Sequence, residues 1–152
     1  MQTPHRIRLK LPQPLPFSCH VAVRITDLNY GNHVGNDRVL QYLHEARVQF
    51  FDEMNYTEID FGGQGIIMAD AAIQYRKELK YPSLLQVSIG VLSLTERSFT
   101  LGYRLVCESK APQKTQELIA EATTTLVGFN YNIGKPAAFS PLVVSALNNY
   151  LV

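Results

Sequence analysis

The segment Thr26 to Asp37, TDLNYGNHVGND, holds the densest polar cluster in the chain: Asp27, Asn29, Asn32, His33, Asn36 and Asp37. These residue types can do acid–base chemistry. A neutral histidine accepts a proton near physiological pH, and a carboxylate can act as base or nucleophile. If a helix opens at the end of the segment, its first backbone N–H groups have no intrahelical partner and favour negative charge. Amides near Gly35 and Asn36 could then hold a developing oxyanion, and Gly35 would let a ligand come close to the backbone. The same residues also build ordinary turns. Asp27 can cap, Asn29 can bond its own backbone in an Asx-turn, and His33 can bond a loop carbonyl. The two cysteines, Cys19 and Cys107, cannot frame a zinc site or a disulfide network by themselves, and no metal site is read.

Two elements must hold this segment. Before it, Phe17 to Thr26 alternates: Phe17, Cys19, Val21, Val23 and Ile25 point one way and Ser18, His20, Arg24 and Thr26 the other, the pattern of a half-buried strand. After it, the spacing predicts a helix over Asn36 to Met54. Val39, Leu43, Ala46, Phe50 and Met54 form its apolar stripe, and Leu40 and Phe51 widen it. Asn36 is the expected N-cap, and Asp37 suits the positive end of the helix dipole.

Strands are predicted over Gly65 to Lys77, around Leu85 to Val91, around Phe99 to Cys107 and over Glu117 to Asn130, with a turn at Asn132 to Lys135. Ser140-Pro141 reads as the N-cap and first position of a short C-terminal helix. Short connections favour antiparallel pairing, so one long helix and one sheet make an α+β layer. A single helix covers one sheet face. The other must meet water or a second subunit, which makes a homodimer or homotetramer the expectation.

The whole chain bounds these readings. Its 152 residues suit one domain, and 46% hydrophobic with 18% charged residues excludes a disordered chain. A net charge of +1 argues against general nucleic-acid binding. No apolar run approaches the length of a membrane span, and no secretory h-region follows the first basic residues, so a reduced, cytoplasmic protein is expected. Four of the eight prolines, Pro4, Pro12, Pro14 and Pro16, fall in the first sixteen residues. Residues 1–16 are therefore read as an extended arm lying on the surface or over a partner, and 17–152 as a single domain.

The stretch DLNYGNHVGND followed by VLQYLHEAR resembles the signature of the hot-dog-fold acyl-CoA thioesterases of the 4-hydroxybenzoyl-CoA thioesterase type. That family commonly shows Asp-x-Asp-x-x-x-His-Val-Asn-Asn and then a tyrosine- and leucine-rich helix closing on Glu-Ala-Arg. Asp27 matches the first aspartate, His33 and Val34 the His-Val pair, Asn36 the second asparagine and Arg47 the closing arginine. Asn29 stands where the family's usual catalytic aspartate does, and His44 where a helix glutamate is often seen. The resemblance implies a hot-dog fold, in which the long helix packs on a five-stranded antiparallel sheet beside a short C-terminal helix.

The implied activity is hydrolysis of an acyl thioester to free acid and thiol. No separate cofactor is implied, because coenzyme A is part of the substrate. An amide cannot act as a base, so water activation falls to Asp27 or His33, with Asn29 positioning the water and the N–H groups of Gly35 and Asn36 polarising the carbonyl. Arg76, Lys77 and Lys80 are the candidate phosphate-binding cations, with Arg97 and Lys110 as further options, and Phe50, Phe51, Phe61 and Met68 could line an acyl channel. Two other readings stand beside this one: a non-catalytic acyl-thioester binder, and a hot-dog hydratase or dehydratase. Restoring aspartate at Asn29 tests the departure, since a large gain in turnover would mean that the natural chain lacks its base.

Overall fold

The computed structural model describes residues 1–108 and 115–152. Strand β1 (Phe17–Ala22) leads through a single 3₁₀ turn, Ile25–Asp27, to the long helix α1 (Asn36–Glu53). Then come β2 (Gly65–Tyr75), β3 (Leu84–Leu94), β4 (Ser98–Glu108), β5 (Gln116–Asn130), the two-residue β6 (Lys135–Pro136) and helix α2 (Pro141–Asn148). The strands form one antiparallel sheet in the order β1-β3-β4-β5-β2, with β6 beside β5. This is the anticipated α+β arrangement, with β6 added where a turn was read.

Alternation in the strands decides which face α1 covers. Leu85, Val87, Ile89 and Val91 of β3, Phe99, Leu101, Tyr103 and Leu105 of β4, and Ala122 and Leu126 of β5 are buried on one face. Against them α1 turns Val39, Leu43, Ala46, Phe50 and Phe51, all buried. Phe51 and Phe99 both pack on Phe61, with ring centroids 4.7 and 5.6 Å from it. Each such ring removed from water contributes about 1.5–3 kcal/mol.

Several local expectations shift. Gly35, not Asn36, is the N-cap of α1, and Asn36 is the first helical residue. Leu40 and Ile25 are exposed although their spacing put them on apolar faces, while Tyr42 and Arg47 are buried. The strand ends at Ala22 because the chain turns into the 3₁₀ segment, which carries Ile25 out of the sheet. In α2, Ser140 caps as read: its Oγ accepts from the Val143 N–H at 3.4 Å, with Pro141 at the first position.

Arg47 is held in the core by Glu58, whose Oε1 accepts from its Nε at 2.7 Å, and Glu58 Oε2 meets His44 Nε2 at 2.9 Å. Burial pushes the Glu58 carboxyl up, but the bonds and charges of Arg47 and His44 outweigh it and hold the group below the usual glutamate range. A carboxyl depressed in the folded state stabilises fully above its unfolded value, and that stability is lost as pH falls through the folded one. Glu58→Gln should therefore lower stability at pH 7 by about 1.5–3 kcal/mol, because it leaves a buried guanidinium without its counter-charge. Urea unfolding of both proteins across the acid range should show the difference shrinking as pH drops below about 4.

Candidate active site

The loop between the 3₁₀ turn and α1 closes on itself. Leu28 and Val34 form an isolated bridge, the Asn29 N–H donates to His33 O at 2.9 Å, and Asn32 takes the left-handed φ of 58° that asparagine tolerates. Asn29 Oδ1 accepts from the Gly31 N–H at 2.9 Å, an Asx-turn. Asp27 is buried, with its Oδ2 accepting from the Arg24 N–H at 2.8 Å and the Tyr42 hydroxyl at 2.7 Å. Burial and the bond to Asp27 push the Tyr42 phenol well up. The Asp27 carbonyl also takes the Gly35 N–H at 3.0 Å.

The same loop docks on the chain that leaves β2. The Val34 N–H donates to Leu79 O at 2.8 Å, and the Tyr75 hydroxyl to Asn36 O at 2.9 Å. Between them lies a groove of about 300 Å³. His33, Asn36, Arg76, Lys77 and Glu78 line it beside an apolar wall of Val34, Val39, Leu79 and Ile119. Burial, then the nearby Asp37 charge, raises the Tyr75 phenol at its rim. Larger hollows exist, one of about 400 Å³ beside His20, Gln86 and Glu108, but they lack a helix N-terminus. Chemistry, not volume, selects the groove.

Within it, His33 Nδ1 lies 3.1 Å from Val34 O. A carbonyl only accepts, so Nδ1 carries the proton and neutral His33 keeps its lone pair on Nε2. Nε2 has no protein hydrogen-bond partner among the described residues. The Asn36 N–H stands at the first helical position, where no intrahelical acceptor exists.

The structure thus divides the residues singled out above. His33 and Asn36 share the groove with Arg76 and Lys77. Asp27 and Asn29 do not line it, and the Gly35 N–H is bonded to the protein. A Cβ at Gly35 would come within 2.4 Å of Asp37 Oδ1, the tip of an exposed side chain that can turn aside. Lys80 falls outside the lining, as do Phe50, Phe51, Phe61 and Met68; the three phenylalanines are core and Met68 is exposed. Lys110 lies outside the described residues. Glu78, which the sequence did not single out, is the one carboxylate of the lining. Its position depends on β2 ending beside the start of α1, which local spacing does not encode. Among the described residues no group of His, Cys, Asp or Glu could hold a metal, and no helix is long and apolar enough to cross a membrane.

Residues 23–147 match the thioesterase-like superfamily. The chain belongs to that superfamily. No curated protein matches it significantly. Among solved structures, it is similar to a candidate thioesterase from Pseudomonas aeruginosa, at 26% identity over 85% of this chain and 95% of the other, with a TM-score of 0.72. It also resembles the DHNA-CoA thioesterase of Staphylococcus aureus (16% identity, 87% and 88% covered, TM-score 0.76). A third is the 1,4-dihydroxy-2-naphthoyl-CoA thioesterase of Synechocystis (20%, 88% and 96%, 0.74). These likenesses establish the hot-dog fold of this member of the thioesterase-like superfamily.

Asn29 Oδ1 and His33 Nε2 both border the space over Gly31, 3.1 and 3.0 Å from the place a Cβ there would take. An aspartate in place of Asn29 would keep the Asx-turn and place a carboxylate on the Nε2 side of the imidazole, so Asn29→Asp should raise thioester hydrolysis by about tenfold or more. Thiol release from an acyl-CoA, compared between the two proteins, checks this.

Proposed function

We propose that the protein hydrolyses an acyl-CoA or a closely related acyl thioester in the groove between the His33 loop and the end of β2. The observation that carries this reading is the pairing of a histidine whose Nε2 is unbonded with an unpaired helix-opening N–H at Asn36 in one hollow. The acyl group would lie on Val34, Val39, Leu79 and Ile119. Water attacks the thioester carbonyl carbon and gives its proton to His33 Nε2. The carbonyl oxygen becomes an oxyanion, held by the Asn36 N–H at the positive end of α1. On collapse the C–S bond breaks, and the departing sulfur takes the proton back from the imidazolium. Glu78, in the same groove, would favour that imidazolium while it lasts. The reading needs no separate cofactor and suits a cytoplasmic enzyme.

His33→Ala should lower kcat by about 10²–10⁴-fold with little change in KM, since proton transfer at the transition state is lost and the apolar wall is intact. Thiol release over several acyl chain lengths measures it. Wild-type protein that releases no thiol, yet melts at a higher temperature with the thioester present, would instead be a binder.

A homo-oligomer is part of the same proposal. Strand β2 is a sheet edge of eleven residues, and Met68, Ala69, Asp70 and Ala71 along it are exposed. A long edge with one charge is a template for pairing with a second copy. Ala71→Arg should shift the light-scattering mass toward the monomer; an unchanged mass assigns the contact elsewhere.

A further inference from the structure

The cations lining the groove are already partnered. Arg76 Nη2 meets Glu121 Oε2 and Lys77 Nζ meets Glu117 Oε1, each at 2.6 Å. Both aliphatic stems and charges are thereby held by the protein's own carboxylates. Free positive charge gathers next door, on the N-terminal arm. Arg6, Arg8 and Lys10 make no ion pair among the described residues. They are interleaved with Ile7 and Leu9, and all five residues line one hollow.

The arm has a defined course. Leu15 and Pro16 pack over Gly90, where a Cβ would come within 3.0 and 3.1 Å of them, and the Leu9 N–H donates to Gln74 Oε1 at 3.0 Å. Gly90 and Gln74 both lie on the sheet face away from α1, the face of Arg104 and Glu121. Where the arm reaches the β2 end, Arg6, Arg8, Lys10, Gln74 and Arg76 line a hollow of about 440 Å³ with no carboxylate in its wall. Arg76 lines both this hollow and the His33 groove. The two are therefore neighbours that share Arg76.

From this we infer that the arm hollow binds the phosphates of the coenzyme A nucleotide while the thioester occupies the His33 groove. The inference rests on the acyl-CoA reading above and deepens it. An acyl thioester is neutral at its reacting end and polyanionic at its nucleotide end. The groove matches the first with an apolar wall and neutralised cations. The arm matches the second with three unpartnered cations, whose bonds to phosphate are charge-assisted. Being exposed, these contacts weaken with salt.

The experiment uses the full chain and the variant Arg6→Gln/Arg8→Gln/Lys10→Gln. At low ionic strength the variant should show KM for an acyl-CoA raised about tenfold at unchanged kcat, the loss of a ground-state charge contact. Hydrolysis of the same acyl group on pantetheine, which lacks the nucleotide, should be unaffected. Binding of 3′,5′-ADP, followed by calorimetry, should weaken by a similar factor. The calorimetric arm does not depend on hydrolysis, so it decides the inference even for a protein that turns over no thioester. An unchanged KM for acyl-CoA with unchanged 3′,5′-ADP binding overturns it, as does wild-type protein that does not bind 3′,5′-ADP. A loss confined to acyl-carrier-protein thioesters would also overturn it and assign the arm to a carrier-protein surface.

Discussion

The site depends on one docking event: the loop that precedes α1 is pinned to the chain that leaves β2. Two hydrogen bonds make the joint, from Val34 N–H to Leu79 O and from the Tyr75 hydroxyl to Asn36 O. Segments about forty residues apart in sequence meet there, and the groove is the space the joint leaves. Neither segment is a site alone. The loop brings an imidazole and a helix terminus; the strand end brings charge and part of the apolar wall. The sheet makes the meeting obligatory. β2 pairs β5 from Gly65 to Tyr75, so its end is fixed by a ladder eleven residues long, while α1 is fixed by its buried stripe on β3 and β4.

That joint explains why so polar a loop gives so few groove residues. A short loop between a strand and a helix must satisfy its own backbone before it can present anything. Asn29 bonds Gly31, Asn32 supplies the left-handed turn, and Asp27 gathers the Arg24 N–H, the Tyr42 hydroxyl and, through its carbonyl, the Gly35 N–H. Three polar residues thus hold the loop so that His33 and Asn36 are displayed. Removing the carboxylate of Asp27 would leave the buried Tyr42 hydroxyl unpaired, a cost of about 1–3 kcal/mol to the frame.

Much of the frame was legible because it is periodic. Alternation placed β1, β3 and β4, the stripe Val39, Leu43, Ala46 and Phe50 placed α1, and Ser140-Pro141 placed α2. Burial departs from the apolar pattern where a side chain finds a partner. Arg47 is buried because Glu58 balances its charge, and Tyr42 because Asp27 accepts its hydrogen. Ile25 is exposed because a 3₁₀ turn replaced the end of the strand. In the site, residue type singled out His33, Asn36, Arg76 and Lys77. It could not separate them from Asp27, Asn29 and Gly35, whose hydrogen bonds only the folded loop defines. Glu78 was hidden altogether, since its relevance comes from the juxtaposition and not from its neighbours in sequence.

Charge arrangement on the far side of the sheet completes the constraint. Glu121 is buried and meets two guanidiniums, Arg76 at 2.6 Å and Arg104 at 2.9 Å. A buried carboxylate left alone is strongly unfavourable, so at least one arginine must stay with it. Arg104 sits inside β4, paired directly with Glu121 in the ladder. Arg76 is just past the end of β2, where the ladder no longer holds it, although its N–H still bonds Ile119 O at 2.8 Å. Of the two arginine side chains on Glu121, that of Arg76 is the more exposed. It is also the side chain common to both hollows. A buried carboxylate with two partners, one inside a strand and one at a strand end, is what lets the same arginine anchor the fold and face the solvent groove.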